Sequence, residues 1–297
     1  MDDDFFLTNL ELRESTETGE QASGLTHSSM KGMVLLSVLE LAARGEPRGA
    51  VTVLHDAGDT GSRYREVAQH LAQAGWAVAL PDLRGHGRTE GEKGHSNGLR
   101  EVVRDVEEIQ NHLSYRLPDE PKVLIGQGLG ANYAVAYALD RPGSLAALVL
   151  VAPLFEVPFQ EPVKPGGLKG MFKKVTGQSL GSTGYRGQDL STDASVQQAW
   201  DRGQDGVGQA FSLRAIQEAR RSQAMLNQLA QTGLPVLVLA GEQDPFVPAE
   251  RCRGLAGGAV EVEVFPGMRH HLLQGTGSAA VQARIGTFLD AHLGARP

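Results

Sequence analysis

A chain of 297 residues, 41% of them hydrophobic, can bury one large core. Its net charge of −7 excludes a generally basic nucleic-acid-binding surface, and no nucleic-acid partner is expected. The single cysteine, Cys252, excludes an internal disulfide and fits a reducing, cytoplasmic setting.

The charge is concentrated at the start, where Asp2, Asp3, Asp4, Glu11, Glu14, Glu17 and Glu20 face Arg13 alone. Residues 1–29 therefore read as an acidic, mobile tail ahead of a domain over 30–297. No apolar run approaches the ~18 residues of a membrane span, and the acidic start is unlike a secretion signal. Residues 33–42 (MVLLSVLELA) predict one bent strand or two short ones. Further strands follow at 49–55 (GAVTVLH), 76–80 (WAVAL), 122–125 (KVLI), 146–151 (AALVLV), 235–240 (PVLVLA) and 260–265 (VEVEVF). Between them, Leu99, Val102, Val103, Val106, Ile109 and Leu113 recur at helical spacing, as do Val281, Ile285, Phe288 and Leu289. Strands alternating with helices predict an α/β fold with a mostly parallel sheet and crossover helices.

Residues 153–225 interrupt that rhythm with a Gly-, Pro- and Gln-rich stretch. Such a long excursion between core strands predicts an inserted helical cap. Its apolar residues (Phe155, Val157, Phe159, Val163, Leu168, Met171, Phe172, Val175) and its lysines 164, 169, 173 and 174 suit a lid over an apolar pocket, with peripheral membrane contact as one use. A plain helical subdomain would have the same composition.

The segment 122–139 (KVLIGQGLGANYAVAYAL) poses the central question. Gly126, Gly128 and Ala131 after a strand and before a helix match a dinucleotide-binding turn, in which backbone amides cradle a pyrophosphate. Against that, several strands precede the turn, and the next strand ends in Ala152-Pro153 where an acidic residue is needed. The alternative is a nucleophile elbow, G-x-S-x-G, with an acid and then a histidine following in sequence. Gly126-Gln127-Gly128-Leu129-Gly130 has that frame, 235–248 (PVLVLAGEQDPFVP) delivers Asp244, and 264–271 (VFPGMRHH) delivers His270.

With those pieces in order, residues 30–297 resemble the monoacylglycerol lipase and lysophospholipase branch of the α/β-hydrolases, which groups with serine aminopeptidase-like sequences. The resemblance rests on 55–59 (HDAGD), 64–68 (YREVA), 76–91 (WAVALPDLRGHGRTEG), 189–193 (DLSTD), 241–244 (GEQD) and 265–270 (FPGMRH). It implies the α/β-hydrolase fold, with Gly128 where the serine nucleophile stands, His270 and Asp244 as the remaining dyad, and an oxyanion-type loop at His55, Asp56 and Ala57. Asp56 stands in place of a loop glycine, Gln127 where histidine is common, and His271 where an acidic residue is usual.

Glycine has no side-chain atom to acylate, and losing a serine nucleophile costs about 10⁶-fold in turnover. The amides of Ala57 and Leu129 can still form an oxyanion hole, which a carboxylate at Asp56 would oppose unless it points away. The leading expectation is a non-hydrolytic protein that binds a lipid-like or acyl small molecule or a protein partner. The alternative is a serine-independent enzyme in which His270 is a general base in the space left by Gly128, with Asp56 as a second acid/base group. A third is weak ester cleavage through Thr60 or Ser62. No cofactor and no metal are expected; His55 is read as ordering its loop, His86 and Arg84 as shaping a turn. Because glycine tolerates the strained elbow backbone, Gly128→Ser is expected to fold normally without added stability.

Overall fold

The computed structural model describes residues 4–12, 34–96, 98–160 and 180–294. Its centre is an eight-stranded sheet in the order β1-β2-β4-β3-β5-β6-β9-β10. The strands are β1 Phe5–Leu12, β2 Val34–Leu41, β3 Gly49–Leu54, β4 Trp76–Pro81, β5 Lys122–Gln127, β6 Ala147–Val151, β9 Val236–Gly241 and β10 Val260–Phe265. β7 Leu180–Ser182 and β8 Ala210–Ser212 form a separate antiparallel pair within the excursion. β1 and β2 pair antiparallel, as do β2 and β4; every other pairing in the large sheet is parallel.

The sequence pattern explains the layering. β3, β5, β6 and β9 are buried along their whole length because helices cover both faces, so they read as unbroken apolar runs. β10, at the edge, alternates Val and Glu and is only half-buried. Helix α1, Arg65–Gln73, buries Val67, Ala68, Leu71 and Ala72, and α2, Leu99–Arg116, buries Val102, Val103, Val106, Ile109 and Leu113. Helix α3, Leu129–Asp140, is buried along nearly all its length, which its alanines permit by letting it lie close to the sheet.

Two regions depart from the sequence reading. Residues 5–12 are not a tail: they form β1, an edge strand in register with β2 from Phe5 opposite Leu41 to Leu12 opposite Val34. The reason is a short alternation that the acidic flanks mask: Thr8, Leu10 and Leu12 turn inward and Asn9 and Glu11 outward, while Phe6 and Leu7 stay exposed. The polar stretch 16–29 lies outside the described residues. Residues 34–41 make one strand rather than two. Within the 153–225 excursion, residues 161–179, with most of the lid's apolar and lysine positions, also lie outside the described residues. The rest contains the β7–β8 pair and helices Gly187–Leu190, Ala194–Asp201 and Leu213–Ser222.

Strand order fixes where chemistry can occur. From β3 the chain steps to β4 on one side, then returns across β3 to β5 on the other. The loops leaving the C-terminal ends of β3 and β5 thus diverge at adjacent strands, and a crevice opens at this switch point. Beside it, the loop after β4 is locked by Arg84, whose guanidinium meets both carboxylate oxygens of Asp105 on α2 at 2.8 Å in a buried setting. Burial raises the Asp105 carboxyl to about 6 despite that arginine. Removing one partner of a buried pair leaves an uncompensated charge, so Arg84→Ala is expected to destabilise the fold by about 3–5 kcal/mol, read as a lowered urea midpoint.

Candidate active site

Four loops at the C-terminal ends of strands build the site: His55, Asp56 and Ala57 after β3, Gly128 and Leu129 after β5, Asp244 after β9, and His270 and His271 after β10. Gly128 sits at φ +56 and ψ −117, between strand and helix, in a backbone conformation that suits glycine. A Cβ on Gly126 would run into Ala131, and one on Gly130 would strike the Leu54 carbonyl. The outer glycines therefore serve the close approach of α3 to the sheet and hold no phosphate. The turn is a nucleophile elbow by geometry.

The space beside Gly128 is filled. A Cβ built on Gly128 would overlap Oδ1 and Cγ of Asp56. Asp56 Oδ1 accepts hydrogen bonds from the amides of Ala57 at 2.7 Å and Leu129 at 2.8 Å. These are the two amides read from sequence as an oxyanion hole, and the carboxylate occupies them. Asp56 Oδ2 lies 3.0 Å from His270 Nε2. His270 Nδ1 lies 2.7 Å from Asp244 Oδ2, while Asp244 Oδ1 accepts from the amides of Phe246 and Val247, which fixes the carboxylate. His270 and Asp56 are 0% and 1% exposed.

The sequence left the direction of Asp56 open and allowed the alternative enzyme a free space beside Gly128. Asp56 points into the hole, because its own loop places both amides within reach of one carboxylate oxygen. The space beside Gly128 holds no room for a water or substrate atom, since Asp56 takes it.

The electrostatics follow from this sandwich. Burial would push the His270 imidazole down, but the carboxylates of Asp244 and Asp56 outweigh it and hold the pKa up at about 10. Burial alone would raise Asp56, yet the His270 hydrogen bond and the nearby imidazoles of His270 and His271 keep its carboxyl well below the usual range. The resting site is an imidazolium between two carboxylates, so His270 is no general base at neutral pH.

The neighbours fix this arrangement. Gln127 Nε2 donates to the His270 carbonyl at 2.7 Å, tying the elbow to the histidine loop. His55 spans its own loop, with Nδ1 2.7 Å from the Asp56 carbonyl and Nε2 accepting from the Leu83 amide at 2.9 Å. His86 Nε2 accepts from the Gly58 amide, and burial, then His55, lowers its pKa to about 3. Thr60 bonds Ser62 and the Asp205 carbonyl. Cys252 is buried, with its thiol pushed up to about 12.

Sequence reasoning missed three contributors. Tyr185, from the excursion, is buried with a hydroxyl that makes no hydrogen bond; burial and the Asp56 and Asp244 charges raise its pKa well above 10. His271 has both ring nitrogens buried without a hydrogen bond, and its Nε2 is 3.7 Å from Asp56 Oδ2. Asp59 accepts from Tyr64 and Gln274, and Gln274 in turn accepts from Arg63, so this network joins the β3 loop to the histidine loop. Asp59 lies in the HDAGD stretch and His271 at a usually acidic position of the histidine loop, but the sequence pattern assigns neither a role; Tyr185 lies in no motif. The motif residue Asp193 caps helix Ala194–Asp201 and accepts from the Thr276 amide and hydroxyl, docking the excursion on the histidine loop. Among the described residues no His, Cys, Asp or Glu cluster has metal-holding geometry, and no helix is long and apolar enough to cross a membrane.

An elbow, an amide pair and an acid–histidine dyad at the C-terminal ends of β3, β5, β9 and β10 of one mostly parallel sheet define an α/β-hydrolase fold. The profile of the serine aminopeptidase S33 family matches residues 45–276, and the chain belongs to that family. It is 28% identical over 261 residues to the monoacylglycerol lipase of Mycolicibacterium smegmatis, covering 84% of this chain and 90% of the lipase. It is 29% identical over 216 residues to the magnesium-chelatase 30 kDa subunit of Rhodobacter capsulatus, covering 66% of this chain and 71% of that subunit. Among solved structures, a soluble variant of the Saccharomyces cerevisiae monoglyceride lipase superposes with a TM-score of 0.74 at 18% identity, covering 93% of this chain and 97% of the lipase.

Two outcomes check the site. Contrary to the sequence reading, Gly128→Ser is expected to destabilise the protein by about 1–3 kcal/mol through overpacking against Asp56; adding Asp56→Gly should restore the melting temperature. His270 has a folded pKa of about 10 against an ordinary 6.5, so its stabilisation is complete below 6.5 and lost as pH rises through 10. The melting temperature should fall across that window, and less steeply in Asp56→Asn.

Proposed function

We propose that this chain is a member of the monoacylglycerol lipase branch that does not hydrolyse acyl esters. One observation carries the reading: the Asp56 carboxylate fills both the serine position at Gly128 and the amide pair of Ala57 and Leu129. An acyl ester needs a nucleophile and a vacant oxyanion hole, and here one residue removes both. A carboxylate attacking an ester carbonyl would form an anhydride while expelling a far more basic alkoxide, so the addition reverts to reactants. The natural ligand in this reading is a lipid-like molecule. Its support is the name of the lipase relatives.

A second reading, catalysis without serine, is favoured by one contact. Asp56 Oδ2 lies against His270 Nε2, where the oxygen of an elbow serine would meet its histidine.

The wild type should show no turnover of short-chain esters or monoacylglycerols and no labelling by a fluorophosphonate probe. Gly128→Ser alone should remain unlabelled, whereas Asp56→Gly with Gly128→Ser should label, since the rest of the site is in place. Wild-type ester turnover that disappears in His270→Ala would overturn the proposal.

A further inference from the structure

We infer that the outer edge of β1 is a dimer interface. A second copy of this chain pairs with it antiparallel, about a two-fold axis at Thr8, and joins the two sheets into one.

The edge lacks the devices that keep sheets apart. β1 ends the strand order, so its outer N–H and C=O groups meet no strand among the described residues. It runs eight residues without a proline, a lysine or an arginine. Its pairing with β2 is in unbroken register, so no bulge twists it away. Phe6 and Leu7 are left 38% and 49% exposed on it. A long, flat edge with exposed apolar side chains is a template for another strand.

The side chains select that strand. Backbone groups that point outward alternate along β1, so a two-fold antiparallel pair sets odd residues opposite odd and even opposite even. With the axis at Thr8, Glu11, the one charged side chain of the strand, stands opposite Phe5 of the second copy. The Arg65 guanidinium of α1 lies over the Phe5 ring, 5.0 Å from its centroid. Neither Glu11 nor Arg65 has an ion pair among the described residues. Phe5 and Glu11 share a face of the strand, so Glu11 of each copy meets Arg65 of the other, twice by symmetry. On the opposite face Phe6 packs against Leu10 of the second copy, an aromatic–aliphatic cross-strand pair. Neighbouring registers lose this match. With the axis at Asn9, Glu11 falls opposite Leu7. With the axis at Leu7, it falls beyond Asp4, at the acidic start of the chain.

Sedimentation velocity of the full chain, at concentrations rising through tens of micromolar, reads the association. Wild type should reach twice the mass of one chain. Glu11→Arg and Arg65→Glu, each confirmed folded by circular dichroism, should raise the dissociation constant about tenfold or more, since each sets like charges side by side at two places. Glu11→Arg with Arg65→Glu reverses both charges and should recover the wild-type constant, which a mere disturbance of the fold would not do. Oxidation reads the register, because the one native thiol, Cys252, is buried. Leu7→Cys mixed with Asn9→Cys should give a disulfide-linked dimer readily, and neither protein should do so alone. A wild type that stays monomeric, a double variant that associates no more tightly than the single ones, or ready linkage of Leu7→Cys or Asn9→Cys alone overturns the inference.

Discussion

Everything at the centre of this protein depends on one carboxylate held by three hydrogen bonds at once, with a second imidazole beside it. Asp56 satisfies two backbone amides with Oδ1 and faces two histidines with Oδ2. A buried charge is tolerated only where its partners replace water, and here they do. The same contacts decide the chemistry. Amides that would stabilise a transient oxyanion are engaged by a permanent anion, and the histidine that would accept a proton already carries one.

The fold makes this exchange accessible. Adjacent strands β3 and β5 release their loops at the switch point, so a side chain from the β3 loop needs only to turn inward to reach the elbow on β5. Glycine at 128 is the counterpart of that turn: with any Cβ there, Asp56 could not enter. Gly128 and Asp56 thus form a matched pair, and each is explained by the other. The outer parts of the site are held by contacts between loops. Gln127 braces the histidine loop, Asp59 and Gln274 link it to the β3 loop, and Asp193 fastens the excursion to Thr276.

The sheet and the order elbow, acid, histidine were legible because each rests on local pattern: apolar runs, a glycine-spaced turn, and loops beginning where strands end. Asp244 and His270 were found this way, and the structure places them 2.7 Å apart. What sequence could not supply was direction. That residue 56 is an aspartate where the family has glycine was plain, but whether its carboxylate entered or left the hole depended on loop geometry. The assumption that glycine leaves a void failed for the same reason. Tyr185 was invisible because it lies outside the excursion's one motif, 189–193, and β1 was hidden by the acidic residues around it.

The central claim is that His270 is held as a cation by Asp56, and nitrogen-detected NMR of the imidazole ring against pH tests it most directly. The account predicts that in the wild type both ring nitrogens stay protonated through neutral pH and titrate near 10, and that Asp56→Asn moves the titration clearly downward. A His270 that titrates near 6.5 in wild type, unchanged by Asp56→Asn, would contradict it.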